Sequence, residues 1–101
     1  MTLNMDAVYI PSEDIVARKI EGELIIIPLV AGIGDMEDEL YTLNETGVVI
    51  WDHLDGVNTL QQVVEKLVQV YDAQYNEIQA DIVGLVKELL RRRMLVEVGS
   101  L

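Results

Sequence analysis

The stretch from Tyr41 to Gly56, YTLNETGVVIWDHLDG, changes its period in the middle. Tyr41-Thr42-Leu43 reads as the end of a strand, with neighbouring side chains on opposite faces. Asn44 is a good N-cap, because its side-chain oxygen accepts a hydrogen bond from an early helix N–H. Glu45 adds negative charge to the first turn, where the helix dipole favours it. Val48, Trp51 and Leu54 then recur at helical spacing on one face. Asp55-Gly56 ends the run with a glycine suited to a left-handed C-cap. A strand and a helix therefore meet at Asn44 with no loop between them. The stretch holds the sole tryptophan and the sole histidine of the chain, so it is an active site, a DNA-reading element or a scaffold hinge. Trp51 lies on the apolar face and reads as a core anchor.

Toward the N-terminus, DIVARKI (14–20) has a blurred period of two. Glu21-Gly22-Glu23 is a turn signal. ELIIIPLV (23–30) is rich in β-branched residues and completes a hairpin. AGIGDMEDE (31–39) is a loop, and ELYTL (39–43) is the third strand. Residues 1–10 read as a flexible tail before a single domain over 11–101. Toward the C-terminus, Thr59 and Gln62 form a capping box. Leu60, Val63, Val64, Leu67, Val68 and Tyr71 share one face of a second helix. A third helix is expected over 76–93. Its core stripe is Ile78, Ile82, Leu85 and Leu89; a second stripe, Val83, Val86 and Leu90, makes the apolar band wider than one-sided packing requires. Leu95 to Val98 suggests a short final strand. Strands followed by helices, without alternation, argue for an α+β fold. Two helices joined through Gly56 beside a small sheet make it winged helix-turn-helix-like, a three-stranded antiparallel sheet followed by three helices.

Composition narrows the chemistry. The chain has 101 residues, 50% hydrophobic, with a net charge of −11. Such a length makes one domain that buries roughly 65% of its unfolded surface. The absence of cysteine excludes disulfides, thiolate metal sites and a cysteine nucleophile. The negative charge opposes nucleic-acid binding, which needs a basic footprint. The longest apolar run, Leu24 to Gly34, is broken by Pro28 and is shorter than the roughly 20 residues of a membrane span. The N-terminus lacks a basic n-region before an apolar block, so a cytoplasmic protein with no membrane contact is expected.

Candidate reactive residues find no partners. His53 has no second imidazole or thiolate to share a metal with, and its neighbours Asp52 and Asp55 do not share its helical face. Asp35, Glu37, Asp38 and Glu39 lack the spacing of a calcium loop, and Gly32-Ile33-Gly34 opens no phosphate-binding glycine motif. No GxSxG is present. No catalytic residue, metal or cofactor is expected. Arg91-Arg92-Arg93 suits the C-terminal end of a helix dipole, with docking of an acidic partner as the alternative. Two features remain. The third strand is a natural sheet edge with unpaired backbone groups, and the third helix is apolar over too wide an arc. If the edge runs beside that helix, the two make one groove able to accept an added peptide strand.

Tyr41-x-Leu43-Asn44-x-Thr46-Gly47, Ile50-Trp51 and Leu54-Asp55-Gly56, followed by Tyr71, Asp81-Ile82, Leu89-Leu90 and Met94-Leu95-Val96, resemble the signature of the PqqD-like proteins, or RiPP recognition elements. The resemblance covers residues 11 to 98. It implies a non-catalytic peptide chaperone that binds the leader of a ribosomally made precursor and presents it to a modifying enzyme, often a radical SAM enzyme. It further implies that the leader adds to the third strand, here Glu39, Leu40, Tyr41, Thr42 and Leu43, and packs on the third helix, here Val83, Val86, Lys87 and Leu90. The long acidic loop leaves open whether the pathway makes pyrroloquinoline quinone or another peptide product. Two other readings stand beside it: a winged-helix DNA-binding regulator, opposed by the charge and by a second helix with one lysine and no arginine, and a structural subunit of a larger enzyme complex. A monomer is expected, or a dimer that exchanges edge strands.

Overall fold

The computed structural model describes residues 3–29 and 40–99. The strands are β1 (Tyr9–Pro11), β2 (Ile15–Ile20), β3 (Glu23–Pro28), β4 (Tyr41–Leu43) and β5 (Leu95–Glu97); the helices are α1 (Glu45–His53), α2 (Leu60–Tyr71) and α3 (Tyr75–Arg91). The expected three-stranded antiparallel sheet is β2-β3-β4, followed by the three expected helices. Glu21 and Gly22 both have positive φ, 50° and 83°, the requirement of a two-residue type I′ hairpin turn. That turn fixes the β2–β3 register at Ile20↔Glu23.

One face of the sheet is the core face. Leu24 pairs with Leu43, and Ile26 with Tyr41; Leu24, Ile26 and Leu43 are buried against the helices. Asn44 accepts from the Gly47 N–H at 2.9 Å, so the cap read from sequence is present. The α1 helix ends at His53, with Leu54 rather than Gly56 as the C-cap. Gly56 (φ +83°) sits in the turn beyond, where an added Cβ would lie 2.7 Å from Ile10 Cγ2. Trp51 is 8% exposed and joins the core, as its spacing indicates. The Thr59–Gln62 capping box is complete, and α3 begins at Tyr75 after Gln74.

The N-terminal segment differs from the expectation of a tail over residues 1–10. Ala7 and Tyr9 are buried, and β1 pairs antiparallel with β5 through Tyr9↔Glu97 and Pro11↔Leu95. The physical reason lies at the start of α2. Early helix N–H groups have no intrahelical acceptor. Leu60 N–H donates to the Ala7 carbonyl at 2.9 Å, and Gln61 N–H to the Met5 carbonyl at 2.8 Å. The segment therefore satisfies donors that the capping box does not reach. Its mixed composition carried no period to reveal this.

Truncating Trp51 to alanine removes a large buried ring, and a loss of about 3–5 kcal/mol is expected in urea unfolding. Gly84 gives the opposite test. It lies inside α3, and a Cβ there would meet nothing within 4 Å. Gly84→Ala should stabilise the free protein by about 0.5–1 kcal/mol, because glycine lowers helix stability and loosens the unfolded chain; a loss of stability in the same assay would contradict the open surface described.

Candidate peptide-binding site

Among the described residues β4 pairs on one side only, with β3. Its other side presents backbone N–H and C=O groups to whatever lies there. Leu43 points into the core, Tyr41 is half-buried, and Leu40 and Thr42 are exposed, which matches the alternation read from sequence. The α3 helix packs on α2 and β5 and stands off from β4. The gap is an open cleft of about 540 Å³, lined by Glu23, Tyr41 to Asn44, Thr46, Gly47 and Ile50 on one side and by Asp81 and Leu85 on α3.

Asp81 and Leu85 on α3 and its C-cap Arg92 are turned to β4; with Glu88 they follow the i, i+4, i+7, i+11 spacing of one helical stripe. At its far end the Arg92 guanidinium lies over the Tyr41 ring, 4.3 Å from the centroid. Glu88 holds both arginines beside it, with Arg91 Nη2 at 2.5 Å and Arg92 Nε at 2.6 Å. Hydrogen bonds from Arg91 and then Arg92 hold the Glu88 carboxyl below the usual carboxylate range. Two of the three consecutive arginines thus serve local ion pairs.

The sequence-derived site residues divide. Tyr41, Thr42 and Leu43 line the cleft, Leu40 adjoins it, and Glu39 lies outside the described residues, as do Gly32, Gly34 and the acidic run before it. On α3 the assignment changes. Val86 is fully buried in the core, and Leu85, read as core, is half-buried and faces β4 instead. Lys87 and Leu90 line a separate hollow with Leu3 and Arg91. Val83 is half-buried on the same flank by helical spacing. The stripe Val83, Val86 and Leu90 and the β4 edge therefore do not form one groove; Asp81 and Leu85 form it with β4. The periodicity alone left the two stripes equivalent, because the rotation of α3 about its axis is set by α2 and β5. The signal that separates them is charge: Asp81, Glu88 and Arg92 share a stripe with Leu85, whereas Val86 falls between Ile82 and Leu89. His53 has an ordinary structural role, its Nδ1 lying 2.8 Å from the Val49 carbonyl, and no group of acidic or histidine side chains suited to a metal occurs among the described residues.

A family model described as "Coenzyme PQQ synthesis protein D (PqqD)" matches residues 29–95. The chain belongs to the PqqD family. Among similar proteins are chains named "PqqA binding protein" from two strains of Xanthomonas oryzae pv. oryzae, PXO99A and KACC10331 / KXO85, each 29% identical over 58 residues. That alignment takes in 57% of this chain and 63% of each relative, so less than two thirds of the curated relatives' length is spanned. The matched region of this PqqD-family chain includes β4 and all three helices. A solved structure titled "TbiB1 in Complex with the TbiA(beta) Leader Peptide" superposes with a TM-score of 0.71 over 91% of this chain and 98% of the other, at 17% identity. At that identity the likeness is one of fold.

The Glu88 contacts give a pH dependence of known sign. A carboxyl held below its ordinary value stabilises the fold above the unfolded pKa of about 4.3 and loses that contribution as pH falls through the folded value. The pair is partly solvated, with 30% of the Glu88 side chain exposed, so the gain is about 0.2–1 kcal/mol. Wild type should exceed Glu88→Gln by that margin at neutral pH, and the two should converge on acidification when urea midpoints are compared.

Proposed function

We propose that this chain is a non-catalytic chaperone for a ribosomally made precursor peptide, binding the leader as a strand added to β4 and resting it against α3. The observation that carries the proposal is the β4 edge, unpaired among the described residues, facing a cleft floored by Leu43 and Ile50 and walled by Leu85. Backbone pairing at a sheet edge supplies affinity, and pockets for alternate side chains supply selection. Membership of the PqqD family, the name "PqqA binding protein" carried by its relatives and the leader peptide bound to the chain of like fold all support this reading. The bound leader would be presented to a modifying enzyme, a radical SAM enzyme in this proposal, in the cytoplasm. The winged-helix DNA-binding alternative gains no support: the chain carries a net charge of −11, and Lys66, the lone cation of α2, is bonded to Asn58 Oδ1 at 2.6 Å.

The peptide contacts proposed are Leu40, Tyr41, Thr42 and Leu43 on the strand side, with Asp81 and Leu85 on the helix. The test is an NMR titration with the leader of the precursor peptide encoded beside this chain's gene. Amides of residues 40–44 and of α3 from Asp81 to Arg92 should shift. Leu85→Asp places a charge in the apolar part of the cleft and should weaken binding at least about tenfold, equal to 1.4 kcal/mol, with helical circular dichroism retained. Lys87→Ala, on the other flank, should bind as wild type. Shifts confined to α2 or to the turn at Asn58, or normal binding by folded Leu85→Asp, would exclude the cleft.

A further inference from the structure

We infer that the leader's charges set its register in the cleft: a lysine or arginine meets Glu23 and Asp81, and a carboxylate about four or six residues away, on the same face of the strand, meets Arg92. The inference rests on the β4 and α3 reading above. Glu23 and Asp81 both line the cleft. Glu23 adjoins Leu24, the partner of Leu43, and Asp81 is eleven residues from the Arg92 that covers Tyr41, so both lie away from the Tyr41 end. Both are exposed, and among the described residues neither has an ion-pair partner. Their field favours a cationic side chain there. Arg92 closes the opposite end. A guanidinium offers five donors, and among the described residues the hydrogen bond of Arg92 uses Nε, to Glu88. The Tyr41 ring beneath it holds the guanidinium plane in place, with further donors for an incoming carboxylate.

Geometry fixes the spacing. Asp81 and the C-cap residue Arg92 are eleven residues apart along α3, about 16 Å on the axis. An extended strand covers that in about five steps, and because only residues an even number apart share a face of a strand, the matching spacing is about four or six. Tyr41 lies at the Arg92 end, while Leu43 and Asn44 lie toward Asp81 and Glu23. If the added strand keeps the antiparallel pairing used throughout the β2-β3-β4 sheet, it enters at the acidic end, so its basic residue comes first and its acidic residue follows. Between them an apolar side chain faces Leu85. The net charge of −11 adds a long-range preference, because a peptide led by a cation is drawn toward this surface.

The test uses two synthetic peptides of identical composition, each with a central leucine. One has a lysine preceding a glutamate by about four residues, an even step that keeps both on one face, and the twin has the two exchanged. Binding is read by fluorescence anisotropy and by amide shifts at residues 40–44. Wild type should favour the lysine-first peptide at least about fivefold at low salt, and the preference should shrink as salt screens it. Asp81→Lys should remove or invert the preference while β4 amides still shift. If Asp81→Lys does not fold, Asp81→Asn replaces it, with the preference expected to fall toward parity. Equal binding of the twins by wild type, an unchanged preference in the Asp81 variant, or binding of the natural leader at β4 with neither twin doing so would overturn the charge register alone. Absence of β4 shifts with the natural leader as well would overturn the site beneath it.

Discussion

Leu43 and Asn44 hold opposite obligations on adjacent residues. Leu43 is a strand residue paired with Leu24 and buried in the core. Asn44 is already the cap of a helix, its side chain engaged by the Gly47 N–H. No chain remains between the two for a loop, so α1 leaves the sheet directly from its last strand. That geometry turns the polypeptide away from the outer side of β4, and no later described strand returns to cover it. The helices then pack on the buried face of the sheet, and α3, held by α2 and β5, passes near β4 without closing on it. The open edge is thus a consequence of a capping residue placed immediately after a buried leucine.

The cleft that results is neither apolar throughout nor strongly charged. Its floor comes from the core face of the sheet and from Ile50, its helix wall is Leu85, the carboxylates of Glu23 and Asp81 also line it, and Arg92, paired with Glu88, lies over Tyr41. An edge strand is a hazard in a protein that must stay soluble. Here β4 is three residues long, and charged side chains flank it. Such an edge is too short to template extended self-association, yet long enough for a peptide that gains further contacts from a helix.

Much of this was legible in the sequence, where local chemistry and global packing agree. The change of period at Asn44, the Thr59–Gln62 capping box and the apolar face of α2 each specify an element from within a few residues, and the family signature lies on those same positions. What escaped was set by distant parts of the chain. The roles of Leu85 and Val86 depend on how α3 is rotated, and both are aliphatic residues in one wide band. The ordering of the segment around Ala7 depends on N–H groups of Leu60 and Gln61, more than fifty positions away, and nothing in residues 3–8 displays a strand or helix period. Helix α1 stops at His53 because the Leu54 N–H closes onto the Trp51 carbonyl, leaving Gly56 to serve the close approach of Ile10.

The pairing of β1 with β5 has a kinetic side. Tyr9 opposite Glu97 joins nearly the two ends of the described chain, a contact of very high sequence separation, and such contacts slow folding because loop closure precedes their reward. During synthesis the residues that cap α2 emerge early, but the strand that pins them arrives after all three helices. Until Leu95 is available, Tyr9 to Pro11 lack the strand they pair with, and the segment whose carbonyls receive the Leu60 and Gln61 N–H groups is not pinned.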